Sequence, residues 1–421
     1  MLFKSFALTL LFAAARVQAA SNCSSGPYNI SAQGTLDELN SCTVLNGDLY
    51  ISDAGNSGIT TLTVNGIESV QGDVVVSDGQ YLTSLSFPSL KNVSGAFNVN
   101  NMIRMNNLAT PELTSVGSLN LAVLPNLQEL QFNAGLSDSD SVVIDDTQLQ
   151  AIDGISLDSV TTFQVTNNRY IQEITMEGLE SAQNIQISAN SKGVSVNFSK
   201  LSNVTTATFD GISNVFIGNL KSAAGNLYFS NTTLDNISVP YLTEIGQSFA
   251  VLYSPELTSL NFPNLTTVGG GFVINDTGLT SIDGFPVISE IGGGLVLLGN
   301  FSSIDMPDLS DVKGALTVET KATNFTCPWS NDDSVIKGDD FTCQGSVATI
   351  SATSSYDLSS TVSATSGSAT SATGSATTTS YSSDSSASSS SSSSHESSAA
   401  SNGFTAGALV LGSLLVAALA M

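Results

Sequence analysis

The sequence predicts an all-β protein: a parallel β-helix, or solenoid, of about thirteen coils with a leucine-rich type of repeat, capped by a disulfide at each end. Three observations predict it. The stretch Leu257–Val268 reads L-x-x-L-x-F-P-x-L-x-x-V, with close copies at Leu82–Leu90 and, less perfectly, Leu234–Ile245. Pairs of apolar residues spaced by two recur thirteen times, from Leu49/Ile51 through Val142/Ile144 and Phe249/Val251 to Leu316/Val318, at steps of 20 to 25 residues. The four cysteines stand only at the two ends of this array.

The spacing of two puts both members of a pair on one face of a strand. A single coil cannot bury that face, so the pairs must stack on the coils above and below. Residues 43–320 therefore read as one continuous array within an ectodomain spanning 20–345. At roughly 4.8 Å per coil the rod is on the order of 60 Å long.

The chain opens with a basic Lys4, an apolar run from Phe6 to Ala15 and small residues at Val17 and Ala19, the three-part pattern of a secretory signal peptide over residues 1–19. Its removal takes Lys4 and Arg16 and no acid, moving the formal net charge from −25 to −27. So acidic a surface argues against nucleic acid and anionic headgroups as partners.

Cys23 and Cys42 precede the first coil and Cys327 and Cys343 follow the last. Of the three connectivities, Cys23–Cys42 with Cys327–Cys343 is favoured, because the others would join opposite ends of a rod. Each bridge sits where a terminal coil would leave unpaired backbone groups open. Zinc is disfavoured by the spacings and by the lack of a nearby histidine.

Asn, Asp and Ser follow the strand of many coils, as at Ser52-Asp53, Asn100-Asn101, Asp145-Asp146, Asn167-Asn168 and Asn275-Asp276. Such residues suit tight turns and also offer a polar strip to a ligand. Ten N-x-Ser/Thr sequons, at Asn29, Asn92, Asn197, Asn203, Asn231, Asn236, Asn264, Asn275, Asn300 and Asn324, are candidate N-glycosylation sites; an eleventh, Asn22, has the cap cysteine as its middle residue. A glycan must point to solvent, so occupied positions mark outer surfaces.

Residues 346–400 are almost all Ser, Thr, Ala and Gly, with no apolar periodicity, which reads as a disordered or O-glycosylated stalk. Residues 401–421 end in an apolar tail whose unbroken part, Ala406–Ala420, is short for a span of about 20 residues. No Lys or Arg follows Lys337 to anchor a cytoplasmic end. With small residues just upstream, the tail reads as a glycosylphosphatidylinositol (GPI) attachment signal, with Ser401 the first choice for the lipid-bearing residue and Asn402 the second.

Catalytic chemistry is thin. The carboxylate pairs are Asp145/Asp146, Asp332/Asp333 and Asp339/Asp340. Gly338-Asp339-Asp340 resembles a polygalacturonase motif, but the Gly-His-Gly and Arg-x-Lys companions are missing. The single histidine, His395, lies in the stalk, which excludes Ser-His and Cys-His nucleophiles from the folded region. A two-carboxylate glycosidase is the enzyme alternative. Trp329 reads as cap packing, and Tyr81, Tyr170, Tyr241 and Tyr253 fall near coil corners where they could form an exposed strip.

The order of parts resembles the fungal GPI-anchored cell-wall organisation proteins, the extracellular-mutant or sporulation-specific group. The resemblance rests on Cys23/Cys42 leading into Gly47-Asp48-Leu49-Tyr50-Ile51, the L-x-x-L-x-F-P-x-L-x-x-V coils, the Cys327-Pro328-Trp329…Cys343 cap, the Ser/Thr stalk and the anchor signal. The coils are similar to the receptor L domain, which implies a right-handed stack. The family resemblance implies a non-enzymatic surface glycoprotein needed for wall structure, with no catalytic residue, metal or cofactor. It places the protein at the outer leaflet through its lipid and in the wall, with β-glucan as a candidate partner. The competing reading is a recognition module that binds wall polysaccharide or a protein through a solenoid face.

Overall fold

The computed structural model describes residues 23–53, 55–330 and 334–350. The signal segment, Asn22, Asp332/Asp333, His395, the anchor candidates Ser401 and Asn402 and all but the first residues of the stalk lie outside them. Among the described residues the fold is a parallel β-solenoid with one short helix, Gln33–Asp37, and no helix is long and apolar enough to cross a membrane.

Each coil passes through three strand positions. In one coil these are a leading strand, Thr267–Val268, a central strand, Phe272–Thr277, and a trailing strand, Ser281–Ile282. The central strands form an unbroken parallel ladder whose register is that of the apolar pairs: Leu49 faces Val74, Val74 faces Phe97, Phe249 faces Phe272 and Leu295 faces Leu316. The ladder gains a rung at each end, Tyr28–Ile30 on Leu49–Ile51 and Phe341–Gln344 on Leu316–Glu319. Thirteen expected rungs plus two make fifteen, enclosing fourteen turns. The cysteine segments are thus part of the stack: Cys343 is itself on the last rung. The trailing strands form only short sheets, such as the one through Thr61–Thr63, Ser84–Ser86 and Asn107–Ala109.

The inward side chains make one core. Leu260 is 6% exposed and Leu265 fully buried, as the repeat requires. Phe249, Phe262, Phe272 and Phe285 interlock from successive coils at ring-centroid distances of 5.0–5.8 Å. Each buried phenylalanine contributes about 1.5–3 kcal/mol of transfer free energy, and edge-on ring pairs add to it.

The corners follow from coil spacing. Between leading and central strands the backbone of one coil runs directly over the next, and Gly246, Gly269 and Gly292 stack in a column. A Cβ on Gly269 would land deep inside contact distance of the Gly246 carbonyl oxygen. At the opposite corner, where the central strand ends, Asp78, Asn101, Asp146, Asn167, Asn231 and Asp276 all take left-handed backbone with φ of 50–58°. That is the turn chemistry the polar residues predict. A third column is made of hydroxyls: Thr243, Thr266, Ser289 and Ser310 each donate to the backbone carbonyl of the residue one coil back.

Two polar residues of these turns point inward. Asn168 is fully buried and bonds across coils to Thr147, to the Ile144 carbonyl and to Asn190. Asp53 is also fully buried and accepts from the backbone N–H groups of Gly55, Tyr81 and Leu82 at 2.7–3.1 Å. Burial pushes the Asp53 carboxyl up, but these donors outweigh it and hold it below its usual range.

At the amino end, Cys23–Cys42 (Cα–Cα 5.7 Å) ties the first rung to the segment after the helix. Gln33 on that helix covers the open edge of the trailing strand Thr61–Thr63: its side-chain amide donates to the Thr63 carbonyl and accepts from the Thr63 N–H, both at 2.9 Å. One side chain thus stands in for the missing neighbouring strand. At the other end Cys327–Cys343 (Cα–Cα 6.0 Å) closes the last rung over Trp329, which is 9% exposed and packs on the core.

Two outcomes follow from the stacking. Gly269→Ala should destabilise the protein by about 1–3 kcal/mol through overpacking, whereas Gly218→Ala, where a Cβ meets nothing within 4 Å, should leave the melting temperature within error. Equal melting temperatures for the two variants would contradict the glycine column.

Asp53→Asn should lower the melting temperature at neutral pH, because the amide nitrogen cannot accept the N–H groups now bound. A depressed carboxyl contributes stability that is present above its unfolded pKa of about 3.9 and is lost as pH falls through the lower folded value. The difference between the parent and Asp53→Asn should therefore shrink as pH drops below about 4, measured by thermal melts across pH; a difference that stays constant would rule out the charged carboxylate as the bonded form.

Candidate functional site

The carboxylate pairs do not converge. Asp145, half-buried on a central strand, accepts from the Thr166 hydroxyl (2.5 Å) and the Asn167 amide (2.8 Å), so it joins two coils. Asp146 beside it is exposed in the left-handed turn. Asp339 and Asp340 are exposed on the last coil, next to Gly338, which stacks on Gly314. Among the described residues no group of three or more His, Cys, Asp or Glu side chains is placed to hold a metal ion.

The trailing side opens where its ladder shrinks to single bridges such as Leu136 to Ile155 and Ala151 to Glu173. A cleft of about 330 Å³ there is lined by Asp153, Glu173 and Glu177, and a second of about 470 Å³ by Glu129 and Asp153. Both are shallow and acidic.

The tyrosines do not form one strip. Tyr170 and Tyr253, 55% and 52% exposed, and Tyr81, with the Arg104 guanidinium 5.4 Å from its ring centre, lie at the corner after the central strand but on widely separated coils. Tyr241, 57% exposed, lies at the corner after the trailing strand. Phe216, exposed at the end of a trailing strand, and Ile103, exposed beside Arg104, carried no signal in the repeat.

The sequons spread over the leading and trailing faces and two of the three corners, with Asn29 and Asn275 on central strands. Asn92 and Asn203 begin leading strands, and Asn197 and Asn236 lie on trailing strands. Asn231, Asn264 and Asn300 are exposed at corners, and Asn324 is exposed near the C-terminal bridge. Asn264 donates to the Pro240 carbonyl and Asn231 to Asp210. Asn275 stands apart at 8% exposure, which argues against a glycan there.

The remaining face is the outer surface of the central ladder. The residue between the two members of each apolar pair points outward, and register joins these residues into one column from Asn29 to Thr342. In a chain with 36 acidic residues, none of these fifteen positions is charged, and Asn29 on the first rung is the column's one sequon. The column is present in the sequence as the middle residue of every pair, a position that need not be apolar and so shows no hydrophobic period.

The chain is similar to known proteins over most of its length. It is 33% identical to "Protein ecm33" of Aspergillus fumigatus over 344 residues, 80% of this chain and 85% of the relative. It is 32% identical to the "Cell surface GPI-anchored protein ECM33" of Candida albicans over 78% of this chain and 80% of that one. The "Cell wall mannoprotein PST1" of Saccharomyces cerevisiae is 30% identical over 76% of this chain and 72% of its own length. No family model and no solved structure matches.

Burial sorts the sequons. Exposed Asn29, Asn236, Asn300 and Asn324 should carry glycans and Asn275 should not, which enzymatic release in heavy-oxygen water followed by peptide mass spectrometry would read directly. Heavy occupancy at Asn275 would contradict the placement of that strand margin.

Proposed function

The chain belongs to the family of the fungal ecm33 proteins, and from that premise we propose that it is a non-enzymatic glycoprotein of the cell surface and cell wall, held by a GPI lipid at the outer face of the plasma membrane and needed for wall organisation and integrity. The observation that carries the reading is the order of parts. A disulfide-closed solenoid is followed by a Ser/Thr-rich segment and then a short apolar end behind the small residues Ser401, Asn402 and Gly403. Relatives named as a GPI-anchored surface protein and as a wall mannoprotein support the placement.

The domain plan is proposed in the same terms: signal peptide 1–19, ectodomain 20–345, stalk 346–400 and a removed signal within 401–421. A stalk of about 55 residues at roughly 3.3 Å each reaches on the order of 180 Å when extended, enough to lift the ectodomain into wall polymer. A rigid rod carrying several glycans organises by bulk and by contact, with no bond made or broken. A second reading, recognition of a wall component by a solenoid face, is favoured by one observation, the uncharged outer column of the central ladder.

Deleting 404–421 should release the protein into the medium as a soluble glycoprotein and reproduce the wall defect of a gene deletion. Mass spectrometry of the mature C-terminus should find a lipid-bearing peptide ending at Ser401 or Asn402. Recovery of a peptide ending at Met421 from surface-located protein would overturn the anchor reading, and a deletion strain with a normal wall would overturn the wall role.

A further inference from the structure

We propose that the outer surface of the central ladder, between Asn98 and Tyr228, is a binding strip for an extended, uncharged polysaccharide chain. The inference rests on the wall-protein reading above and names the face and the chemistry of its ligand.

The strip is defined by register. Asn98, Asn120, Gln164, Gln186, Thr208 and Tyr228 follow one another along the rod, with Val143 between the second and third. All are half-buried, so each presents part of its side chain to solvent. Successive rungs are about 4.8 Å apart, which makes the strip straight and on the order of 30 Å long. The next outward residues, Ala250 and Val273, are buried at 1% and 3%, so the accessible strip stops at Tyr228.

Its charge is the first argument. The parallel row two residues earlier, from Ala96 to Asn226, is also free of Asp, Glu, Lys and Arg. On the other margin the acids are Asp145 and Asp210, and both are occupied by hydroxyl and amide donors of the next coil. The three ion pairs among the described residues, Lys91–Glu68, Lys313–Glu290 and Lys337–Asp311, all lie on or beside leading strands, away from the strip. A strongly acidic protein with one neutral face repels polyanions everywhere and leaves that face to a neutral partner.

The functional groups are the second argument. Amides and hydroxyls both donate and accept, which matches a polymer whose edges are hydroxyls. They are held in place by one another: Asn120 and Asn100 donate to the Asn98 oxygen at 3.1 and 3.2 Å, and Gln164 donates to the Thr166 hydroxyl at 3.3 Å. Tyr228 at one end offers a ring face for the C–H side of a sugar. A protein partner would call for a packed apolar centre with aromatic or arginine anchors, and the strip has none beyond that tyrosine. Sequons are the third argument. Apart from Asn29 on the first rung and the buried Asn275, they stand on the leading and trailing faces and at the corners; none stands between Asn98 and Tyr228, so glycans would leave the strip open.

The core from Tyr28 to Trp329 and both disulfides lie within 23–350, so protein truncated after Ala400 keeps the described fold. It would be mixed with insoluble β-1,3-glucan particles and, separately, chitin particles, and binding read by sedimentation. Gln164→Glu and Gln186→Glu place a charge on the strip with nearly the same side-chain volume, and Gln183→Glu, exposed at the corner between leading and central strands, is the control. Melting temperatures of the Gln183 and Gln186 variants should match the parent; Gln164→Glu loses its donor to Thr166, so its binding is compared below its own melting temperature. The proposal expects binding to at least one of the two polymers. It expects about tenfold or greater weakening for each strip variant, the size of one or two lost hydrogen bonds, with the control within about twofold. Parent and strip variants binding equally would overturn the face. No binding to either polymer, with a photo-crosslinker at position 186 capturing a protein instead, would overturn the ligand class. Neither result touches the wall role, which the deletion strain tests by itself.

Discussion

The constraint on which everything else depends is that each residue sits about one strand spacing, ~4.8 Å, from its own counterpart in the next coil. Where the packing between coils is tight, like residues therefore recur along a column. Where two backbones cross, only glycine fits, as at Gly246, Gly269 and Gly292. Where a carbonyl is left facing the next coil, a hydroxyl one period later bonds it, as Thr266 does for Thr243. Where the chain must turn left-handed, Asn and Asp recur, and the turn imposes itself on Val123 and Tyr253 as well, at φ of 54° and 51°. The repeat is the set of solutions to one spacing applied at every position around the coil.

That is also why the fold was legible in the sequence. Leu49/Ile51 and its twelve successors were aligned by period alone, and the structure pairs them residue for residue. The two end rungs escaped because their neighbours are irregular: Tyr28–Ile30 is followed by the helix, and Phe341–Gln344 is preceded by the cap loop. Gln33 could not be read either, since an amide that imitates a strand edge has no period. The candidate surface was only half legible. A tyrosine near a corner says nothing about which corner, so Tyr241 and Tyr253 looked like neighbours in a strip and lie on different edges. The outward column was hidden because attention goes to the residues that must be buried, while function is carried by the ones between them.

Charge placement has the same origin. A like charge repeated at one column position would sit one rung from its copy along the whole rod, and such repulsion accumulates. Two lysines offset an acid one coil away, Lys91 beside Glu68 and Lys313 beside Glu290, the second where Glu290 and Asp311 face each other in register. These pairs are about half exposed, and each is worth little for stability.

The bridge between Cys327 and Cys343 has a mechanical meaning. Tension in the chain beyond residue 350 acts first on the bonds from Ser346 to the Ala322 carbonyl and from Val347 to the Thr320 carbonyl, and then reaches the terminal rung, Phe341–Gln344 on Leu316–Glu319, which carries Cys343. Without the bridge, a load that peeled this strand would go on to draw out the loop over Trp329, one residue at a time. With it, force leaves the chain at Cys343 and re-enters at Cys327, so the intervening loop, a separation of 16 residues, stays slack. The bridge thus sets the path of a load: it spares the loop over Trp329 and passes the force from Cys327 toward the strand Leu316–Thr320.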